Sequence, residues 1–280
     1  MKNLIINADD LGMNDSITDG ILSLWNNDNS VSSISATSIM PTEVGFNNAI
    51  KQIKENDIKI PIGVHLSLSS GFPVSQVNHI PSIVSGNKFI FDDIETNNVM
   101  TAIMSVNPKE LEYEFEMQII KCKESGINIT HIDNHMYYIY MNPELFMIVI
   151  KLANKYNLPL RWPFAKNKDV INDFVKSKTI SQEMADKVLN IYSKIKNELK
   201  LKTTDYYYQI PFHEEFEKKK ILFHNILNNI KNGTSELCIH PGFHDNYRKM
   251  DYDILNSEET KNLLRKNEIV LINQSMLNIL

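Results

Sequence analysis

Apolar and polar positions follow two rhythms along the chain. Short runs dense in Ile, Val and Leu alternate with longer stretches in which apolar residues recur every three to four positions. These are the patterns of buried strands and amphipathic helices. NLIIN (3–7), ISATSI (34–39), IPIGVHLSL (60–68), ITHID (129–133), LPLRW (158–162), SELCIH (235–240) and EIVLI (268–272) predict strands, with YYYQI (206–210) a less regular addition. Helices are predicted over 14–25, 43–55, 108–124, 143–156, 167–205 with a break near Ser181, 214–231 and 253–266. Asn14 or Asp15 reads as the cap of the first, and Pro143 as a first-turn residue. Residues 69–106 are rich in turn formers and have no clear period, so they read as a long insertion of the kind that forms functional lids.

Repeated strand–helix units without a change of composition predict one α/β domain over 1–280, built on a parallel sheet. No GxGxxG or P-loop follows the first strand, which removes the usual support for a nucleotide-binding sheet. Seven or so units favour a closed or nearly closed (β/α) barrel over a doubly wound sheet, with its chemistry at the C-terminal strand ends.

That rule can be applied to the polar residues. Asp9 and Asp10 end the first strand, and His65 lies late in the third. His131, Asp133 and His135 belong to the fourth, Arg161 ends the fifth, and His240 ends the strand before the last helix. In extended chain, positions i, i+2 and i+4 share a face, so HIDNH is predicted to aim His131, Asp133 and His135 the same way. Imidazoles and carboxylates converging on one point form an N/O metal site. A divalent cation would also offset the repulsion between adjacent Asp9 and Asp10. One carboxylate could then ligate while its neighbour takes a proton, as a metal-dependent hydrolase requires.

Composition narrows the field. The chain has 280 residues, 42% of them hydrophobic, enough for a sizeable core. The net charge is −5, from 29 basic and 34 acidic residues. Its one short basic run, Lys218–Lys220, reads as a solvated helix face, and no nucleic-acid footprint is expected. Cys122 and Cys238 lie far apart and outside any CxxC pattern, so they read as reduced, buried thiols. There is no signal-peptide pattern and no apolar run of the roughly 20 residues a membrane span needs. A cytoplasmic protein without a membrane partner is expected, with a homodimer left open.

Four motifs occur in order: NADDLGMN, GVHLSL (63–68), THIDNH (130–135) and CIHPGFHD (238–245). Together they resemble the YdjC-like carbohydrate (chitooligosaccharide) deacetylase family from about residue 3 to 245. The resemblance implies a seven-stranded barrel related to glycoside hydrolases and deacetylases, one bound divalent metal, and hydrolysis of an N-acetyl group on an amino sugar or short oligosaccharide. Mg or Zn lead as the metal, with Mn, Co and Ni open. Matched by motif, Asp10, His65 and His135 correspond to the metal ligands, Asp9 to the general base and His240 to the acid that protonates the leaving amine. Arg161 corresponds to a basic residue that holds substrate or orients a carboxylate. Read from the residues alone, His131 supports the ligands from behind or simply packs, and Asp133 orients a ligand histidine or caps the following helix. The acid role requires a carboxylate, Asp9 or Asp133, to raise the pKa of His240. The family commonly continues its motif as Asp-x-His-x-His-x-His. Here Tyr137 and Ile139 take the later positions, which points to an altered substrate cleft.

Each residue alone also has a plain structural explanation: a capped turn for Asp9–Asp10, a satisfied core histidine for His65, an ion-pair partner for Arg161. Their joint placement on strand ends is what favours a site. Competing readings are a phosphoesterase on the same barrel and a non-catalytic sugar-binding protein. A metal-free glycosidase is disfavoured, because neighbouring strand residues point to opposite faces.

Overall fold

A computed structural model describes residues 1–25, 32–92, 99–176, 180–199, 201–211 and 215–278. In chain order its elements are β1 (Lys2–Leu11), α1 (Asp15–Ser23), β2 (Ala36–Ile39), α2 (Phe46–Glu55), β3 (Ile62–Leu66), β4 (Val84–Ser85), β5 (Lys88–Phe89), α3 (Val99–Ser105), α4 (Pro108–Glu124) and β6 (Ile129–Asn134). There follow α5 (Pro143–Tyr156), α6 (Asp169–Lys176), α7 (Gln182–Leu199), β7 (Tyr206–Gln209), α8 (Phe216–Asn229), β8 (Gly233–Ile239), α9 (Asn246–Asn256), α10 (Glu258–Lys266) and β9 (Ile269–Leu271).

The main sheet is parallel and runs β6-β3-β2-β1-β8-β7, with β9 pairing off this path against Lys2–Leu4 of β1. Its central strand is buried on both faces from Leu4 onward, as a near-continuous apolar run requires. The sheet curls. Asp133 on β6 and Glu236 on β8 are four strand steps apart, about 19 Å in a flat sheet, yet both bind the one Arg161 side chain. Among the described residues, the barrel-like architecture expected from the strand–helix repeat is therefore present as a curled parallel sheet.

Several boundaries have simple causes. Asn14, Asn107 and Asn142 cap α1, α4 and α5 by accepting from backbone N–H groups, the latter two ahead of Pro108 and Pro143. The helix predicted over 253–266 is two helices. Ser257 is extended, and its hydroxyl accepts from Thr260 N–H to start α10. The predicted strand 158–162 makes only an isolated bridge, Ile132 to Leu160. Pro159 has no N–H to give a ladder, but its carbonyl accepts from Ile132, and Arg161 N–H donates to the Ile132 carbonyl. That is enough to fix Arg161 beside β6.

The insertion holds the β4–β5 hairpin and α3; residues 93–98 lie outside the described residues. It is pinned to α4, where buried Glu114 accepts from the N–H groups of Val74 and Ser75 and Glu110 accepts from Ser82. The basic run Lys218–Lys220 is not a uniformly solvated face as expected: Lys219 is fully buried between α8 and α9. Both cysteines are free and buried, as predicted. No helix among the described residues is long and apolar enough to cross a membrane.

Candidate active site

The adjacent aspartates meet at one place because β1 is bulged. Its pairing with β2 shifts register between Ala8 and Leu11, and Asp10 has φ 72°. That left-handed conformation is one Asp tolerates better than most residues. A regular strand would aim the two carboxylates at opposite faces. Here both reach His65 Nε2, Asp9 Oδ2 at 3.7 Å and Asp10 Oδ1 at 3.3 Å.

His65 is oriented from behind. Its Nδ1 pairs with Asp133 Oδ1 at 2.6 Å, which leaves Nε2 toward the aspartates. Burial pulls the His65 pKa down, but Asp133 and Asp9 outweigh it and push it up to about 10. His135 follows the end of β6, and its Nδ1 lies 3.1 Å from Asp10 Oδ1. One donor atom each from Asp10, His65 and His135 falls within 4.8 Å of the others.

Asp9 is held differently. Arg161 Nη1 donates to Oδ2 at 2.6 Å and Nη2 to Oδ1 at 2.8 Å. Asn7 Nδ2 donates to Oδ1 at 2.7 Å and the Cys238 thiol to Oδ2 at 3.1 Å. Burial raises the Asp9 pKa, but Arg161 and His65 hold it well below the usual carboxylate range. Asp10 is likewise held low: burial opposes, while His135 and Arg248 prevail. Arg161 also pairs with Asp133 at 2.9 Å and Glu236 at 2.8 Å.

A cavity of about 430 Å³ opens over these groups, lined by Asp9, Asp10, His65, His135, Arg161, Cys238 and His240 and closed laterally by Met13, Met136, Tyr137, Ile210, Tyr247 and Arg248. All five predicted strand ends therefore reach one rim. His131 and Asp133 do not line the cavity. His131 is fully buried, with Nε2 3.8 Å from Asp133 Oδ2, and burial pulls its pKa down to about 4. It fits there because residue 63 is glycine: a Cβ at Gly63 would sit 2.3 Å from His131 Nε2.

Two expectations change. His240 was to have a pKa raised by a carboxylate. Asp10 and Asp9 do pull it up, but burial is larger and holds it at about 4, so the imidazole rests neutral at pH 7. The insertion was to act as a lid, yet no described residue of 69–106 lines the cavity. Tyr137 does line it, its hydroxyl bonded to Tyr207 Oη at 2.8 Å and Gln209 Oε1 at 2.7 Å. Ile139 packs into the core instead.

Sequence reading missed Arg248 and Glu236. Arg248 Nη2 donates to Asp10 Oδ2 at 2.6 Å. It is placed by Asp245, which caps α9 and accepts from Arg248 N–H. Aspartate three residues ahead of Arg248, at a helix start, was the available signal.

Fold and cavity together define a barrel-like α/β protein with an Asp–His centre at the carboxyl ends of its strands. The chain belongs to the YdjC-like protein family, whose sequence profile matches residues 3–266. It is 25% identical to a carbohydrate deacetylase of Thermoanaerobacter pseudethanolicus across 99% of this chain and 100% of that protein. It is 30% identical to a carbohydrate deacetylase of Brevibacillus brevis over 58% of this chain and 59% of the relative. Among solved structures it is similar to a protein from Enterococcus faecalis V583 described as a cellobiose-phosphate cleavage protein. The TM-score is 0.73 at 26% identity, over 99% of this chain and 98% of that one.

Proposed function

We propose that this chain is a metal-dependent hydrolase that removes the acetyl group from an N-acetylated amino sugar or short oligosaccharide, releasing acetate. The observation that carries the reading is the charge of the site. Four buried carboxyl groups, Asp9, Asp10, Asp133 and Glu236, face two guanidinium groups, Arg161 and Arg248. With His65 deprotonated, as a ligand must be, the excess is two negative charges, which one divalent ion would balance in place of the His65 proton, and the N/O donor set of Asp10, His65 and His135 suits Mg, Mn, Co, Ni or Zn. Relatives named carbohydrate deacetylases support the reaction class.

Asp10, His65 and His135 would hold the ion. Bound there, it would polarise the acetyl carbonyl and acidify the attacking water. Asp9, kept ionised and fixed in direction by Arg161, takes the water proton. His240, neutral at rest, relays the proton that Asp9 has taken to the departing amine nitrogen, so the free amino sugar leaves neutral. Tyr137 and Gln209, tied together by a hydrogen bond, form the wall against which the sugar ring packs.

A second proton path is favoured by one observation. Both Asp9 oxygens already accept hydrogen bonds, four in all. In that path neutral His240 accepts the water proton and returns it to the amine, while Asp9 acts through its charge alone.

The test of the function is a screen for acetate release across N-acetylated mono- and oligosaccharides with each of the five metals. Acetate appearing only when metal is present is expected. Phosphate released from sugar phosphates without acetate would favour a phosphoesterase, and sugar binding without turnover in any metal a binding protein.

A further inference from the structure

His240 is the first residue beyond two hydrogen-bonded ladders. The β1–β8 register ends at Ala8 and Ile239, and the β7–β8 register at Gln209 and Cys238. Its backbone N–H lies just past the strand registers, and Pro241 follows. An acceptor comes from α9: Asp251 Oδ2 accepts from His240 N–H at 3.2 Å. Asp251 is 1% exposed, and its charge is met by Lys219 of α8, 0% exposed, whose Nζ lies 2.6 Å from Asp251 Oδ1. The same Nζ donates to the Tyr247 carbonyl at 3.1 Å, next to Arg248.

We propose that Lys219 and Asp251 are positioning residues that fix the main chain of His240, and with it the direction of the imidazole toward the cavity. An ion pair so deeply buried is weak evidence for stability, since well-packed apolar side chains commonly replace such pairs at no cost. What apolar replacements would not supply is the acceptor for His240 N–H. The inference rests on the reading of His240 as the group that transfers protons.

Two double variants separate positioning from packing. Lys219→Met with Asp251→Asn removes both charges and keeps an acceptor oxygen. Lys219→Met with Asp251→Leu removes both charges and the acceptor. Both are assayed at a temperature well below their unfolding midpoints, with kcat, KM and His240 ring NMR signals as readouts. The Asn pair is expected to keep kcat within about threefold of the parent. The Leu pair is expected to lose about 10–100-fold in kcat at unchanged KM, the scale of a misplaced reacting group, with displaced His240 ring signals. Equal kcat in the two pairs, or a loss confined to KM, overturns the proposal. If the parent protein releases no acetate from any substrate, the function fails separately. The ring signals then decide: unchanged His240 signals in the Leu pair overturn the positioning role, and displaced ones support it.

Discussion

Arg161 grips Asp9 by both oxygens, at 2.6 and 2.8 Å, and with its remaining donors it reaches Asp133 and Glu236. One planar guanidinium thus serves three buried carboxyl groups contributed by β1, β6 and β8. A lysine has a point charge and cannot satisfy three directions at once. Arg161→Met would leave three buried carboxyls without their shared cation and is expected to destabilise the protein by about 3–5 kcal/mol. Arg161→Lys should recover part of that stability but little turnover. Urea unfolding and kcat measured on both variants check this, and a Met variant within about 1 kcal/mol of the parent would sink the clamp.

This clamp marks where sequence reading stops. Strand ends carrying Asp, His and Arg were legible because the strand–helix rhythm is clear and the barrel rule says where to look. The bulge at Asp10 was not, since nothing in ADDLG distinguishes a left-handed aspartate from an ordinary one. Glu236 read as one more residue of a strand. Arg248 lies 238 residues from its partner Asp10, and only the curled sheet brings them together. Lys219 sat inside a basic run whose other members are solvent-facing, and a three-residue run has no period from which to pick the buried one.

Metal binding should compete with a proton at His65. Its pKa is pushed to about 10 by Asp133 and Asp9 against burial, so at pH 7 the ring is protonated when only carboxylates surround it. An ion at Nε2 must displace that proton. Binding at pH 7 is expected to release about one proton per ion and to weaken about tenfold for each unit of falling pH. Calorimetry in two buffers of different ionisation enthalpy measures the proton count. His65→Ala and His135→Ala should each lower metal content, and equal content in all three proteins would remove them as ligands. Asp10→Asn should also lose metal while keeping the fold, because Asn tolerates φ near 72°.

Gly63 and His131 should behave as one packing unit. A methyl group at 63 would meet the buried imidazole at 2.3 Å. Gly63→Ala is expected to cost about 1–3 kcal/mol through overpacking. His131→Ala removes the obstacle, so the double variant should recover part of the loss, with a coupling of about 0.5–3 kcal/mol in a double-mutant cycle. Simple additivity would show that the strain lies elsewhere.

In the proposed function the paired aspartates and His240 divide the proton work, and the two paths proposed for it predict different pH profiles. His240 rests neutral with a pKa near 4, because burial outweighs Asp10 and Asp9. An alkaline limb from its deprotonation near pH 7 is therefore not expected. If Asp9 is the base, Asp9→Asn keeps the metal and loses about 10²–10⁴-fold in kcat. His240→Ala then hurts an amide substrate more than an activated ester, whose leaving group needs no proton. If His240 carries the proton in both directions, it must start unprotonated, so kcat falls as pH drops through about 4 and that limb disappears in His240→Ala. Asp9→Asn would keep the limb and lose only the effect of its charge. We expect the first pattern, since the acidified water needs only a weak base and Arg161 fixes the Asp9 carboxylate against the cavity. Near-parental turnover in Asp9→Asn, combined with a His240-dependent acid limb, would transfer the base role to His240 and leave Asp9 as the fixed negative charge beside the metal.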